Sequence, residues 1–118
     1  IKKYWPGPLT LVVPALPGLS PLISPRSSVG VRLPGHDFAR NLLSRTGPLA
    51  ATSANLSGGK DPCTAREVLD QLGGRIELIL DGGRCPGGKA STVVDCTGED
   101  LILLREGDIT LEMLKDMD

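Results

Sequence analysis

A chain of 118 residues is one domain at most, since domains run to roughly 100–200 residues. Its 40% apolar content excludes a disordered composition, and a formal charge of −1 removes any global electrostatic case for nucleic-acid binding. No apolar run approaches the roughly 20 residues that a membrane helix needs.

In chain order, Leu9-Thr10-Leu11-Val12-Val13 predicts a buried strand, introduced by the Pro6-Gly7-Pro8 turn. Residues 14–25, rich in proline and serine, predict an irregular surface loop. Residues 28–33 alternate apolar and polar positions and predict a second strand, stopped by Pro34-Gly35. Across 37–45 the spacing of Phe38, Leu42 and Leu43 predicts a helix, with Gly47 and Pro48 as its exit. Residues 48–53 predict a short strand of small residues, which would let a ligand or another backbone approach closely. Thr64 and Glu67 form a capping box for a helix striped by Val68, Leu69 and Leu72 and ended by Gly73-Gly74. Residues 76–80 predict a strand, 81–89 a glycine-rich loop, 92–95 and 101–105 two further strands, and 110–115 a short terminal helix. The sum is α/β (α+β) with a mixed sheet.

The core of such a sheet must be aliphatic, because Tyr4, Trp5 and Phe38 are the only aromatic residues. Cys63, Cys85 and Cys96 form no C-x-x-C pair and His36 is the sole histidine, which argues against a zinc site and a disulfide framework. Reduced cysteines suit a cytoplasmic protein. The opening Ile1-Lys2-Lys3-Tyr4-Trp5 has no initiator methionine and reads as a cut inside a longer protein.

Gly83, Gly88 and Lys89 have the G-x-x-x-x-G-K spacing of a phosphate-binding loop. That loop requires Ser or Thr next and then a helix, whereas Ala90 follows and Ser91-Thr92-Val93-Val94-Asp95 is β-branched and strand-like. A phosphate-binding loop is therefore rejected. Ala51-Thr52-Ser53-Ala54-Asn55-Leu56-Ser57-Gly58-Gly59 packs hydroxyls, an amide and small residues into one stretch; it suits an anion-binding nest or a plain hydrophilic turn. Arg32, emerging from Val29-Gly30-Val31, points to an anionic partner, since a buried guanidinium without one is costly. Arg105 ends a strand and either reaches an anion or stays in solvent.

Order and wording make these segments recognisable. Tyr4-Trp5-Pro6-Gly7-Pro8-Leu9-Thr10-Leu11 resembles the W/Y-P-G-P-x-T segment of YrdC-like proteins, the threonylcarbamoyl-adenylate synthases. Val29-Gly30-Val31-Arg32-Leu33-Pro34 resembles their V-x-V-R-x-P strand, and Ser53-Ala54-Asn55-Leu56-Ser57-Gly58 their S-A-N-x-S-G signature. Asp81-Gly82-Gly83 with Ser91-Thr92-Val93-Val94-Asp95 is similar to the D-G-G…S-T-V-V-D pair, and Arg105-Glu106-Gly107 to the closing R-x-G.

The resemblance implies a YrdC/RibB-like twisted mixed β-sheet flanked by helices. The implied activity joins L-threonine, bicarbonate and ATP, with magnesium accompanying the nucleotide, into threonylcarbamoyl-AMP and pyrophosphate. That product feeds threonylcarbamoyladenosine modification of tRNA by downstream tRNA-modifying proteins. No protein-bound metal or prosthetic group is implied, and no catalytic side chain is assigned. Carried over residue by residue, Ser28, Ser53, Asn55, Asp61 and Arg105 would bind ATP. Arg32, Ala51 and Ser91 would bind threonine. The family often has S-P-T where this chain has Pro62-Cys63-Thr64, directly after Asp61.

The family's N-terminal T-D-T-x-Y-G-L strand and K-x-R motif do not occur here. With the start at Ile1, the resemblance reads residues 1–118 as a partial domain, its C-terminal two-thirds, incomplete at its N-terminal side and inactive alone. Such a piece would leave an apolar sheet face or edge uncovered. The other readings are a non-catalytic YrdC-like module holding RNA or a nucleotide, and the related domain of carbamoyl-transferring hydrogenase maturation enzymes. Weak binding of double-stranded RNA or tRNA belongs with the first of these; a membrane partner is not expected.

Overall fold

The apolar run after Pro8 forms β1, Leu9–Pro14, an interior strand of a four-stranded sheet in this computed structural model. β2, Ser28–Val31, pairs antiparallel to it on one side, and β3, Thr92–Asp95, parallel on the other. β4, Ile102–Arg105, closes the order β2-β1-β3-β4 antiparallel to β3, with a register shift at Val93/Val94. The sheet is mixed, as the sequence predicts. Residues 2–24, 26–85 and 89–115 are described. They fall into two units: Ile1–Leu49 with Ala90–Asp118, which holds the sheet, and Ala50–Lys89.

Side chains alternate across a strand, so register sorts the sheet into two faces. Leu9 and Leu11 lie beside Thr92 and Val94 on one face, and these residues are buried. Ile109 and Leu114 complete that core, with Tyr4, Trp5, Val13, Val31, Cys96 and Leu103 packed against it. Leu114 belongs to the terminal helix α3, Leu111–Lys115. The Tyr4 hydroxyl donates to the Met113 carbonyl at 2.9 Å, fastening the N-terminal segment to α3. The Trp5 indole N–H donates to the Leu9 carbonyl at 2.8 Å, so its one polar atom is satisfied beside the aliphatic core. Ser28, Gly30, Thr10, Ser91 and Arg105 fall on the other face by the same alternation.

One polar group sits inside the core. Thr92 is fully buried, and its hydroxyl donates to the Ile109 carbonyl at 2.7 Å. The same oxygen accepts from the Gly107 N–H at 2.9 Å and the Ile109 N–H at 3.1 Å. A hydroxyl has one proton and two lone pairs, and all are used. Gly107 has to be glycine: a Cβ there would meet the Ala90 carbonyl oxygen at 2.4 Å and the Thr92 nitrogen at 2.7 Å.

In chain order, β2 is followed by α1, Asp37–Thr46, and then α2, Ala65–Leu72, ahead of β3. The expected capping box is present: Thr64 accepts from Glu67 N–H, and the Glu67 carboxylate takes the Thr64 and Cys63 N–H groups. Gly47, at a φ of 77°, closes α1 in a conformation that favours glycine. Neither helix buries a residue; Phe38 stays 53% exposed and Leu69 48% exposed.

Two predicted strands are absent. Residues 48–53 and 76–80 are irregular, with Leu78 72% and Leu80 52% exposed. Strand propensity needs a partner's ladder to satisfy the backbone, and none of the described strands lies within 47–91. The glycine-rich loop therefore joins β3 to an irregular segment rather than linking two strands; its Pro86, Gly87 and Gly88 lie outside the described residues, as do Ile1 and Pro25. β2 also stops at Val31 rather than at residue 33. Apolar side chains are left exposed along β4, where Ile102 and Leu104 are each 56% exposed.

Thr92→Val keeps the shape but strips two buried N–H groups and a carbonyl of their partner. With about 1–3 kcal/mol for each buried group left unsatisfied, it should lower unfolding free energy by about 3 kcal/mol or more. Thr92→Ser should recover most of that loss, and Gly107→Ala should match Thr92→Val; urea unfolding of each variant measures all three.

The Cys63 amide foremost, then the Thr64 amide and the charges of Arg84 and Lys60, hold the Glu67 carboxyl below the usual range against an opposing desolvation. Because the folded pKa is depressed, this contribution is complete above the unfolded value and is lost as pH falls through the folded one. Hydrogen-exchange protection at the Cys63 and Thr64 amides should therefore drop below about pH 4. Glu67→Gln should show reduced protection already at neutral pH and no such acid step.

Candidate active site

The polar face of the sheet gathers four of the residues singled out from the sequence. Ser91 precedes β3 and is 6% exposed; its hydroxyl lies 2.8 Å from that of Thr10 on β1. Arg105, at the end of β4, donates through Nε to the Ser91 carbonyl at 3.0 Å and through Nη2 to the Ser91 hydroxyl at 3.2 Å. Ser28 opens β2 opposite Pro14, and its carbonyl accepts the Ser24 hydroxyl at 3.0 Å. Arg32 follows Val31 on the Ser28 and Gly30 side, and its Nε donates to the Gly7 carbonyl at 3.0 Å.

Direction places Arg32, Ser91 and Arg105 with Thr10 at one end, and Ser28, opposite Pro14, at the other. Thr10 and Ser91 lie at the starts of parallel β1 and β3, while Arg32 and Arg105 follow or close antiparallel β2 and β4. With strands about 4.8 Å apart, the β2 and β3 ends stand about 10 Å apart, the span of a small molecule with two polar ends. Asp95 stands at the far end of β3, its carboxyl held below the usual range by the Thr97 hydroxyl and amide.

Arg32 and Arg105 are held by neutral acceptors, and among the described residues neither makes an ion pair; Arg40 pairs with Asp37 and Arg66 with Asp70 instead. Guanidinium stays charged at any relevant pH and presents several donors in a fixed plane. Two of them, with hydroxyls between, make a surface that suits carboxylate or phosphate oxygens.

The second unit holds Ala51, Ser53, Asn55 and Asp61. Ala51, Ser53 and Asp61 are exposed on irregular backbone. Residues 53–58 form the expected loop, though not at a strand end. Asn55 donates through Nδ2 to the Leu56 and Gly59 carbonyls, both at 3.0 Å, while its Oδ1 is buried with no partner. A buried amide oxygen left open is an acceptor awaiting a donor or a cation. Gln71 of α2 fastens the loop: its Oε1 accepts from Leu56 N–H at 3.2 Å and its Nε2 donates to the Lys60 carbonyl at 2.9 Å. An apolar groove of about 500 Å³, lined by Leu69, Ile76 and Leu78 among others, includes none of these site residues.

Thr10 and Thr92 lie in motifs quoted from the sequence but, like Gln71, carry no individual role in that reading. Gln71 stands four residues after Glu67, on the same side of α2 that meets the preceding loop, and that spacing was a usable signal. Thr10 and Thr92 looked like ordinary strand residues. The phosphate-loop match fails in the structure as in the sequence, because a strand follows Lys89. Among the described residues no three His, Cys, Asp or Glu side chains cluster to hold a metal, and no helix is long and apolar enough to cross a membrane. Burial raises the Cys96 thiol pKa, with Asp95 adding to the shift.

Residues 1–107 match the family model Sua5_yciO_yrdC, described as telomere recombination. The threonylcarbamoyl-AMP synthases of Schizosaccharomyces pombe and Bacillus subtilis are each 43% identical over 98% of this chain, and over 30% and 34% of their own lengths. The structure of P. abyssi Sua5 complexed with L-threonine matches with a TM-score of 0.91 at 40% identity, covering 98% of this chain and 34% of that one. E. coli YciO matches with a TM-score of 0.81 at 30% identity, covering 91% of this chain and 53% of that one. The chain spans about a third of the length of the synthases from S. pombe and B. subtilis. With its motifs in order, its mixed sheet in register and 107 residues on the family model, the chain belongs to the Sua5/YciO/YrdC family.

Proposed function

We propose that this chain is part of a threonylcarbamoyl-AMP synthase that consumes L-threonine, bicarbonate and ATP and releases pyrophosphate. The observation that carries the reading is the pair of guanidiniums, Arg32 and Arg105, held by neutral acceptors at one end of the polar sheet face with Ser91 between them. Its support in related proteins is the threonine-complexed P. abyssi Sua5 structure. Residues 1–118 would be a partial synthase domain.

Every reactant in this chemistry is anionic or becomes so. The amine of threonine and bicarbonate condense, with loss of water, to a carbamate. A carbamate oxygen attacks the α-phosphorus of ATP, the bond to the β-phosphate oxygen breaks, and pyrophosphate leaves with the electron pair. No covalent enzyme intermediate is required, so the protein contributes orientation and charge stabilisation. Arg32 would hold the threonine carboxylate, Ser91 would donate to threonine, and the Ala51 backbone would line its pocket. Arg105, Ser28, Ser53, Asn55 and Asp61 would bind ATP, which enters as its magnesium complex and brings its own metal. The product would pass to tRNA-modifying proteins in the cytoplasm, with weak contact to tRNA itself.

Pyrophosphate release by the protein that carries this chain tests the reading, with threonine and ATP varied separately. Arg32→Ala should raise KM for threonine and Arg105→Ala should raise KM for ATP, each by about ten- to a hundredfold for one lost charge-assisted contact. Unchanged kinetics in both variants, or no threonine-dependent pyrophosphate from the parent, would end the assignment.

A further inference from the structure

We infer that Thr10 is a positioning residue for this site: its hydroxyl sets the direction of the Ser91 proton and, through Ser91, the seat of the Arg105 guanidinium. The kinetic part of this inference rests on the synthase reading; the geometric part does not.

The bonds define a short relay. Arg105 can only donate, so the Ser91 hydroxyl accepts from Nη2 at 3.2 Å. The Thr10 and Ser91 hydroxyls, 2.8 Å apart, must then decide between them which one donates. If Thr10 donates, both lone pairs of Ser91 are filled and its proton points outward as a donor. If Ser91 donates, it offers a ligand only a lone pair. An anionic oxygen beside two arginines selects the first arrangement, and bonds in series polarise one another in the same sense.

Thr10 itself is held for the task. It sits in β1, which is paired on both sides, and faces away from the core. Gly30 on β2 leaves room for its methyl: a Cβ at Gly30 would lie 3.4 Å from Thr10 Cγ2. With the methyl turned toward β2, Oγ1 turns toward β3 and Ser91. A β-branched side chain in a paired strand has little χ1 freedom, so the hydroxyl is pre-aimed.

Thr10→Val keeps the shape and deletes the hydroxyl. In the protein that carries this chain it should raise KM for threonine about tenfold, the loss of one well-directed contact to a charged group. KM for ATP should rise by less than about threefold, since Arg105 keeps its Nε bond to the Ser91 carbonyl and a bond of that kind costs most when removed outright. Thr10→Ser should restore the parent kinetics. In a Ser91→Ala background Thr10→Val should have no further effect, because the relay is already broken. A merely structural role predicts instead equal rises in both KM values with a lowered Tm, no rescue by serine and full additivity, and that result overturns the inference. The side-chain nitrogen spectrum of arginine gives a readout free of activity: the Arg105 guanidinium signals should move in Thr10→Val, and not move further in the double variant. If the parent makes no pyrophosphate, the synthase reading falls and this spectrum decides Thr10 by itself. An unchanged Arg105 spectrum in Thr10→Val overturns it.

Discussion

The sheet and its polar end depend on one buried hydroxyl. Thr92 Oγ1 makes three hydrogen bonds within the core, all of them to the backbone of the turn that follows β4. These bonds bring residues 107–109 back against the start of β3, where Gly107 comes within reach of the Ala90 and Thr92 backbone. Ile109 then enters the core, and α3 follows with Leu114. The same closure fixes where β4 ends, and with it the reach of Arg105 to Ser91. Core and site are thus set by adjacent residues whose side chains point to opposite faces.

That division of faces explains how a small sheet supports both packing and charge. Leu9, Leu11 and Val94 are spent on the aliphatic core, and the residues between them are left for chemistry. The arginines at the polar end are oriented by carbonyl and hydroxyl oxygens, not by carboxylates. A carboxylate partner would have neutralised them and left little for an anionic ligand, whereas a neutral acceptor fixes geometry and leaves the charge available.

The second unit is organised on different lines. It has no sheet among its described residues, and side-chain to backbone bonds replace the missing ladder. Glu67 closes the capping box and reaches back to Cys63, Gln71 holds Leu56 and Lys60, and the Cys85 N–H meets the Cys63 carbonyl at 2.7 Å. The Asn55 amide, with its nitrogen engaged and its oxygen buried and open, is the one unsatisfied buried side-chain acceptor among the described residues.

The sequence by itself determined the strand pattern of the sheet unit, the capping box at Thr64 and Glu67, the failure of the phosphate-loop spacing and the family motifs. Each of these is local: alternation, cap chemistry and residue order are carried by a few neighbouring positions. It misread residues 48–53 and 76–80, since whether an apolar run becomes a strand depends on a partner lying alongside, and that is not written in the run itself. The individual roles of Thr10 and Thr92 are hidden for the same reason. A threonine in a strand has one appearance in sequence, whether its hydroxyl meets solvent, a serine 81 positions away or the backbone of a turn 17 positions on. Only the tertiary structure decided which, because register assigns each residue its face and long-range closure supplies its partner.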